Sequence, residues 1–246
     1  MSRIGSEDRR LDARAAALAT LAMAILGGSY TAGRVALQDL PVFGTLALRM
    51  LIAAATLGAY AWWARTALAY RGGEAWFLAA QTGFFVLAQS LLFTALTMTG
   101  AGRASILFNM QPFFTLLLLP LLVPSERLSA RRWLGTGVAF AGVALVLAER
   151  GVAGGSLLGD LLVLVAALCW TGNVILNKRM PRAISPVAVI FWSSAAAVPL
   201  FALLTLAFEA DAAWTFSPGA LGGVLYLGTV AAGLGFVLIV WLVNSY

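Results

Sequence analysis

A chain of 246 residues that is 61% hydrophobic and only 11% charged, with a mean hydropathy of +0.92, cannot cover a core with water-loving surface. Ordinary soluble domains carry roughly 25% charged residues. With no histidine and the single cysteine Cys169, neither a zinc or haem centre nor a disulfide framework is expected, and no cofactor is implied. The net charge of +6 could suit a nucleic-acid partner, but its distribution between loops explains it better, so none is expected.

The apolar residues fall in runs of about 17 to 25, close to the ~20 that a helix needs to cross a bilayer core about 30 Å thick. Strand alternation is absent, so the expected fold class is all-α integral membrane with about eight transmembrane helices. The first span runs from Ala15 to Gly33; it is longer than a signal peptide's apolar region and lacks a convincing cleavage site, so it reads as retained. The second, Val42 to Ala64, contains Arg49, and the third, Ala75 to Met98, carries Gln81 and Gln89 on one face. The fourth, Ala104 to Val123, contains Asn109, Gln111 and Pro112, whose missing N–H and ring should kink it. The fifth, Trp133 to Ala148, is the shortest and precedes a Gly-rich stretch that reads as a boundary. The sixth, Leu157 to Asn177, holds Trp170 and Asn173; Pro186 to Leu206 and Leu221 to Val243 complete the set.

Lys and Arg concentrate in cytoplasmic loops. With the N-terminus inside, twelve of the sixteen basic residues fall on the inner side: Arg3, Arg9, Arg10, Arg14, Arg65, Arg71, Arg127, Arg131, Arg132, Lys178, Arg179 and Arg182. Arg34, Arg103 and Arg150 fall outside, Arg49 lies within a span, and acidic Glu209 and Asp211 precede the last span. Trp62, Trp63, Trp76 and Trp133 mark inner ends, where amphipathic rings favour the headgroup layer. The expected location is a cell (inner) membrane, multi-pass, with a cytoplasmic N-terminus.

Ala24 to Thr31 in the first span can be laid over Ala167 to Val174 in the sixth, and Pro41-Val42 over Pro186-Val187. Five spans separate the copies, and an odd number inverts the second, a recurrent plan of secondary transporters. The expected domains are a five-span repeat over 1–150 and an inverted, incomplete repeat over 151–246.

The chain also carries, in order, Gly27-Gly-Ser-Tyr-Thr, Arg49, Ala95-Leu, Leu107-Phe-Asn-Met-Gln-Pro112-Phe-Phe, Pro124-Ser-Glu126-Arg-Leu, Trp133-Leu-Gly135 through Gly142-Val, and Gly159-Asp-Leu-Leu through Trp170. In these motifs and their order it resembles the EamA-like branch of the drug/metabolite transporter superfamily. The resemblance implies a permease or exporter of small metabolites, such as amino acids or amphipathic compounds, working by alternating access. It also implies ten spans, whereas Tyr246 falls about where the eighth closes: either the gene runs on or this is a shortened member. Gly228, Ala231, Ala232 and Gly235 are then expected to face no partner within the chain. That would favour a second copy or another membrane subunit, or a non-transporting scaffold.

Substrate-binding candidates are Arg49, Asn109, Gln111, Tyr30, Trp170, Asn173, Gln81 and Gln89, with Pro112 as the helix kink. Arg49 is the least bland charge, because burying one costs at least ~2.5 kcal/mol unless it finds a partner or snorkels. A substrate carboxylate or helix-end carbonyls would serve it equally. Arg34 and Arg103 read either as an anion-attracting vestibule or as solvated helix ends. Asn109, Gln111, Gln81 and Gln89 could line a cavity or bond helix to helix. Tyr30, Trp170 and Asn173 could form an aromatic-polar pocket or pack in lipid. Small residues four apart, Gly135 with Ala139 and Gly228 with Ala232, read as packing faces, and the Glu126 to Arg132 turn as an interfacial salt-bridge cluster. No Asp or Glu lies deep in a predicted span, which leans toward facilitated diffusion or exchange over a carboxylate-driven pump. No nucleophile, base and metal can be assembled, so an enzyme is not expected.

Overall fold

Long apolar segments leave one solution for their backbone polar groups, and the chain adopts it: in the computed structural model the described residues are helical or in turns, with no strand. The structure describes residues 13–68, 75–122, 134–138, 140–142, 145, 156–178, 185–235 and 238. Helices α1 (Ala13–Ala36), α2 (Val42–Trp63), α3 (Ala75–Met98), α4 (Ala101–Phe108) and α5 (Gln111–Leu122) are followed by α6 (Leu157–Lys178), α7 (Pro186–Phe208) and α8 (Pro218–Leu225). The chain then winds on as a π-helix over Tyr226–Gly235. Four of these, α2, α3, α6 and α7, are long and apolar enough to cross a membrane. Their outer faces carry unburied Leu51, Leu87, Leu168, Leu203 and Leu206, a distribution suited to lipid and costly in water. Trp62, Trp63 and Trp76 are exposed at helix ends.

Three helix pairings dominate: α3 along α6, α2 along α7, and α1 along α8 with its π-helical continuation. Each is antiparallel. In the second pair the α2 N-terminus meets Glu209 just past α7, where the carboxylate accepts from Phe43 N (2.9 Å) and Gly44 N (3.2 Å). At the other end, Trp192 Nε1 in α7 donates to Leu68 O just past α2 (2.8 Å), and Ser185 Oγ reaches Ala67 O (3.4 Å). A carboxylate on free N–H groups at a helix start is a favourable placement. The α2–α7 pair is thus tied at both ends.

The end of α3 and the start of α4 are tied to the start of α6 around one carboxylate. Arg103, in α4, forms a buried ion pair with Asp160 in the first turn of α6 (Nη2 to Oδ2, 2.7 Å), its Nε 2.9 Å from both carboxylate oxygens. Thr99 Oγ1 donates to the same carboxylate (3.1 Å), and Ser156 N to Met98 O (3.1 Å). Arg34, in the last turn of α1, donates to the Leu96 and Thr99 carbonyls that α3 leaves unpaired at its C-terminus. The vestibule and solvated-end readings of these two arginines are therefore corrected: Arg103 is 8% exposed, and both are held by the protein because lipid gives their donors no alternative. Asp160, placed at a span edge from sequence, is 1% exposed.

Two other expectations change. The fourth span is not one kinked helix: it breaks at Asn109–Met110 between α4 and α5, with Pro112 at the second position of α5, where its missing N–H leaves no unmet bond inside the helix. The last apolar helix starts at Pro218, capped by Ser217 Oγ on Ala220 N (3.1 Å), three residues before the predicted Leu221. Its small residues do have partners. A Cβ on Gly228 would lie 2.6 Å from Ile52 Cβ, one on Gly233 would lie 2.7 Å from Thr56 Cγ2, and Gly235 approaches Ile25 and Leu26 of α1. Gly223 meets the Ala32 carbonyl at 2.7 Å in the same sense. Gly135, by contrast, faces open space among the described residues. The predicted fifth span is described only at 134–138, 140–142 and 145, all helical. Ala139 and the Glu126 to Arg132 turn lie outside the described residues.

Removing Asp160 would take the ion-pair partner from a buried Arg103 guanidinium. Asp160→Ala is expected to lose about 3–5 kcal/mol of stability in detergent, followed by thermal unfolding. The double replacement Arg103→Met with Asp160→Leu is expected to recover most of that loss.

Candidate functional site

The space between the α2–α7 and α3–α6 pairs is filled unevenly. Toward the end holding Asp39, Thr99 and Glu209, a cluster including Leu46, Leu92, Phe93, Leu96, Leu107, Val163, Phe201 and Leu227 closes it. Toward the end holding Trp63, Ala75 and Asn177 it is a cavity of about 350 Å³. One wall is Arg49 and Met50 of α2 with Val189, Ile190, Ser193 and Ser194 of α7; the other is Gln81 and Phe85 of α3 with Trp170, Asn173, Val174 and Asn177 of α6. Ala232, in the π-helix, completes the lining. A π turn re-aims side chains relative to an α-helix, and such turns recur at functional sites.

Arg49 sits at the closed end of the cavity. Its guanidinium lies 5.3 Å from the centre of the Phe93 ring, a cation–π contact. The residue is 7% exposed, its Nε has no hydrogen-bond partner, and among the described residues no carboxylate lies within ion-pair distance of it. Four buried side-chain polar atoms among the described residues lack a partner: Arg49 Nε, Gln81 Oε1, Thr82 Oγ1 and Ser193 Oγ. Three of those residues line the cavity, which concentrates unmet hydrogen-bonding capacity there.

On the facing wall an amide ladder crosses α3 and α6. Gln81 Nε2 donates to Asn173 Oδ1 (3.0 Å), Asn173 Nδ2 to the Gln81 carbonyl (3.2 Å), and Asn177 Nδ2 to Asn173 Oδ1 (3.2 Å). Phe85 packs on Trp170 at 5.8 Å between ring centres, giving this wall an aromatic floor.

Of the residues expected from sequence, Arg49, Gln81, Trp170 and Asn173 come together around the cavity. Tyr30 stands behind it, edge-on to Phe108 at 6.2 Å, which in turn meets Trp170 at 6.1 Å. Gln89 is buried two turns from Gln81, away from the lining. Asn109 caps α4, its Nδ2 on Ser105 O (2.8 Å), and Gln111 donates to Thr115 Oγ1 (2.8 Å) while its carbonyl accepts from Thr171 (3.3 Å). Pro112 follows the break. Ser193, Ser194 and Asn177 were not anticipated; adjacent serines inside an otherwise apolar span were the available signal.

The model of the EamA-like transporter family matches residues 13–148 and again 157–246. The chain belongs to the EamA-like transporter family. Relatives include an uncharacterized transporter of Archaeoglobus fulgidus, 27% identical over 227 residues, spanning 90% of this chain and 77% of that protein. A probable amino-acid metabolite efflux pump of Escherichia coli K12 is 30% identical over 146 residues, covering 55% of this chain and 48% of that protein. A solved structure shares the fold with a TM-score of 0.67 at 21% identity, covering 94% of this chain and 78% of its own. The two relatives are named as a transporter and as a probable efflux pump, and the family together with the apolar helices places this chain among multi-pass membrane proteins.

An unpaired buried guanidinium contributes little to stability, since its desolvation offsets the Phe93 contact. Arg49→Met is expected to change stability in detergent by less than about 1 kcal/mol. Thermal unfolding beside Asp160→Ala checks this: a loss as large as that variant's would mark Arg49 as structural.

Proposed function

We propose that this family member is a secondary transporter that moves small metabolites, such as amino acids or amphipathic compounds, by alternating access. The observation that carries the reading is Arg49: a buried, unpaired cation at the closed end of a cavity between two separately tied helix pairs. A substrate carboxylate placed there would complete its hydrogen bonds and its charge together. The E. coli relative named as a probable amino-acid metabolite efflux pump supports that substrate class. The two separate family-model matches support two repeats divided near residues 151–156, and the three antiparallel pairings suit an inverted arrangement. Under the basic-loop orientation, with the N-terminus in the cytoplasm of a cell with an inner membrane, the cavity end at Asn177 faces inward. The scaffold reading finds less support, since a scaffold has no need of an unpaired buried arginine.

In proteoliposomes, the protein is expected to carry a labelled carboxylate-bearing metabolite from a panel of amino acids. Arg49→Gln is expected to cut that flux by tenfold or more, about 1.4 kcal/mol or above. Undiminished flux in Arg49→Gln removes Arg49 from the site, and no flux for any panel member favours the scaffold. Topology is tested separately: reporters after Arg71, Arg132 and Arg182 are expected to read cytoplasmic, and one after Asp211 external.

A further inference from the structure

The amide ladder determines which way Gln81 presents its side chain. Asn173 Nδ2 is committed to the Gln81 main-chain carbonyl, so Asn173 Oδ1 must face the other way, where it accepts from both Gln81 Nε2 and Asn177 Nδ2. Turning the Gln81 amide over would set two acceptor oxygens against each other. Gln81 Oε1 is therefore a pure acceptor, buried and left without a donor, in a residue 4% exposed that lines the cavity. Arg49 Nε, on the opposite wall, is a pure donor left without an acceptor. The Ser193 hydroxyl can act either way and does not discriminate.

We propose that Gln81 is a specificity-determining residue, restricting the substrate to compounds that carry an N–H or O–H donor in addition to the anionic group taken by Arg49. The proposal rests on the transport reading for the identity of the cavity as the substrate site. A ligand with only an anionic group satisfies Arg49 and leaves Gln81 Oε1 buried and unpaired. A ligand with an anionic group at each end sets acceptor against acceptor. An ammonium, amide or hydroxyl group satisfies both walls and joins the α2–α7 pair to the α3–α6 pair. Rejection of analogues that lack a required donor is stronger than discrimination by apolar shape, because the site's own polar atom is stranded.

The test is binding to the purified protein in detergent at pH 7, by calorimetry, with two matched pairs: leucine with 4-methylpentanoate, and phenylalanine with 3-phenylpropanoate. Each pair differs by the ammonium group. The wild type is expected to bind the ammonium-bearing member about tenfold more tightly or better. Gln81→Met, which keeps length and removes the acceptor, is expected to bring the ratio near one, mainly by weakening the ammonium-bearing member. Should Gln81→Met fail to fold, the wild type is given 2-hydroxy-4-methylpentanoate, whose hydroxyl donor replaces the ammonium and is expected to make it bind more tightly than 4-methylpentanoate.

A wild-type ratio near one, an unchanged ratio in Gln81→Met, a hydroxy acid that binds no more tightly than 4-methylpentanoate, or no binding of any of the four paired compounds overturns the proposal. Discrimination in binding without flux in proteoliposomes would leave the Gln81 assignment standing and remove the transport reading. Flux without discrimination would do the reverse.

Discussion

Hydrocarbon offers no hydrogen bonds, so each polar side chain within a membrane bundle must be satisfied by the chain itself or by something the chain binds. This constraint organises the molecule. At the end holding Glu209, the α2 N-terminus is satisfied by a carboxylate, the α3 C-terminus by Arg34, and Arg103 by Asp160. At the opposite end, the indole of Trp192 and the hydroxyl of Ser185 meet the carbonyls that follow α2. The cavity departs from the pattern, since three of its lining residues keep buried polar atoms without partners.

The ties also define mechanical units. α2 and α7 are bound to each other at both ends, and α3 is bound to α6 through the amide ladder and, at its far end, through Thr99 and Asp160. Close backbone approach at Gly228 and Gly233 holds the π-helical segment against α2. Lipid supplies no hydrophobic drive between helices, so such close packing and polar ties carry the cohesion. A cavity between two internally tied pairs can change its opening if the pairs tilt without breaking their own ties, which is the mechanical requirement of alternating access.

Much of this was open to reading along the chain. Run length and the absence of alternation indicated membrane helices, and α3 ends at the predicted residue, Met98. Arg49, Gln81, Trp170 and Asn173 stood out as polar or amphipathic groups within apolar runs, and they converge on the cavity. Asn109 and Gln111 stood out on the same grounds but are absorbed by bonds to Ser105 and Thr115 within their own helical turns. Spacing along one helix cannot tell a residue that faces a cavity from one that bonds its own backbone. The start of α8 was misplaced because Ser217-Pro218 follows an apolar residue and no charge marks the boundary.

The sequence by itself determined the class of solvent, because a chain with so few charges and such long apolar runs can be stable only in lipid. It also determined the family, through ordered short motifs that span nearly the whole length. The tertiary structure alone decided which charges are partnered. The sequence placed Arg103 at a helix edge and Arg49 within a span but fixed no partner for either; in the fold Arg103 meets Asp160 from 57 residues away, and Arg49 meets an aromatic ring at the end of a cavity. The reason is physical: a charge in a low-dielectric medium is defined by what lies within a few ångströms of it, and helices distant in sequence supply those neighbours.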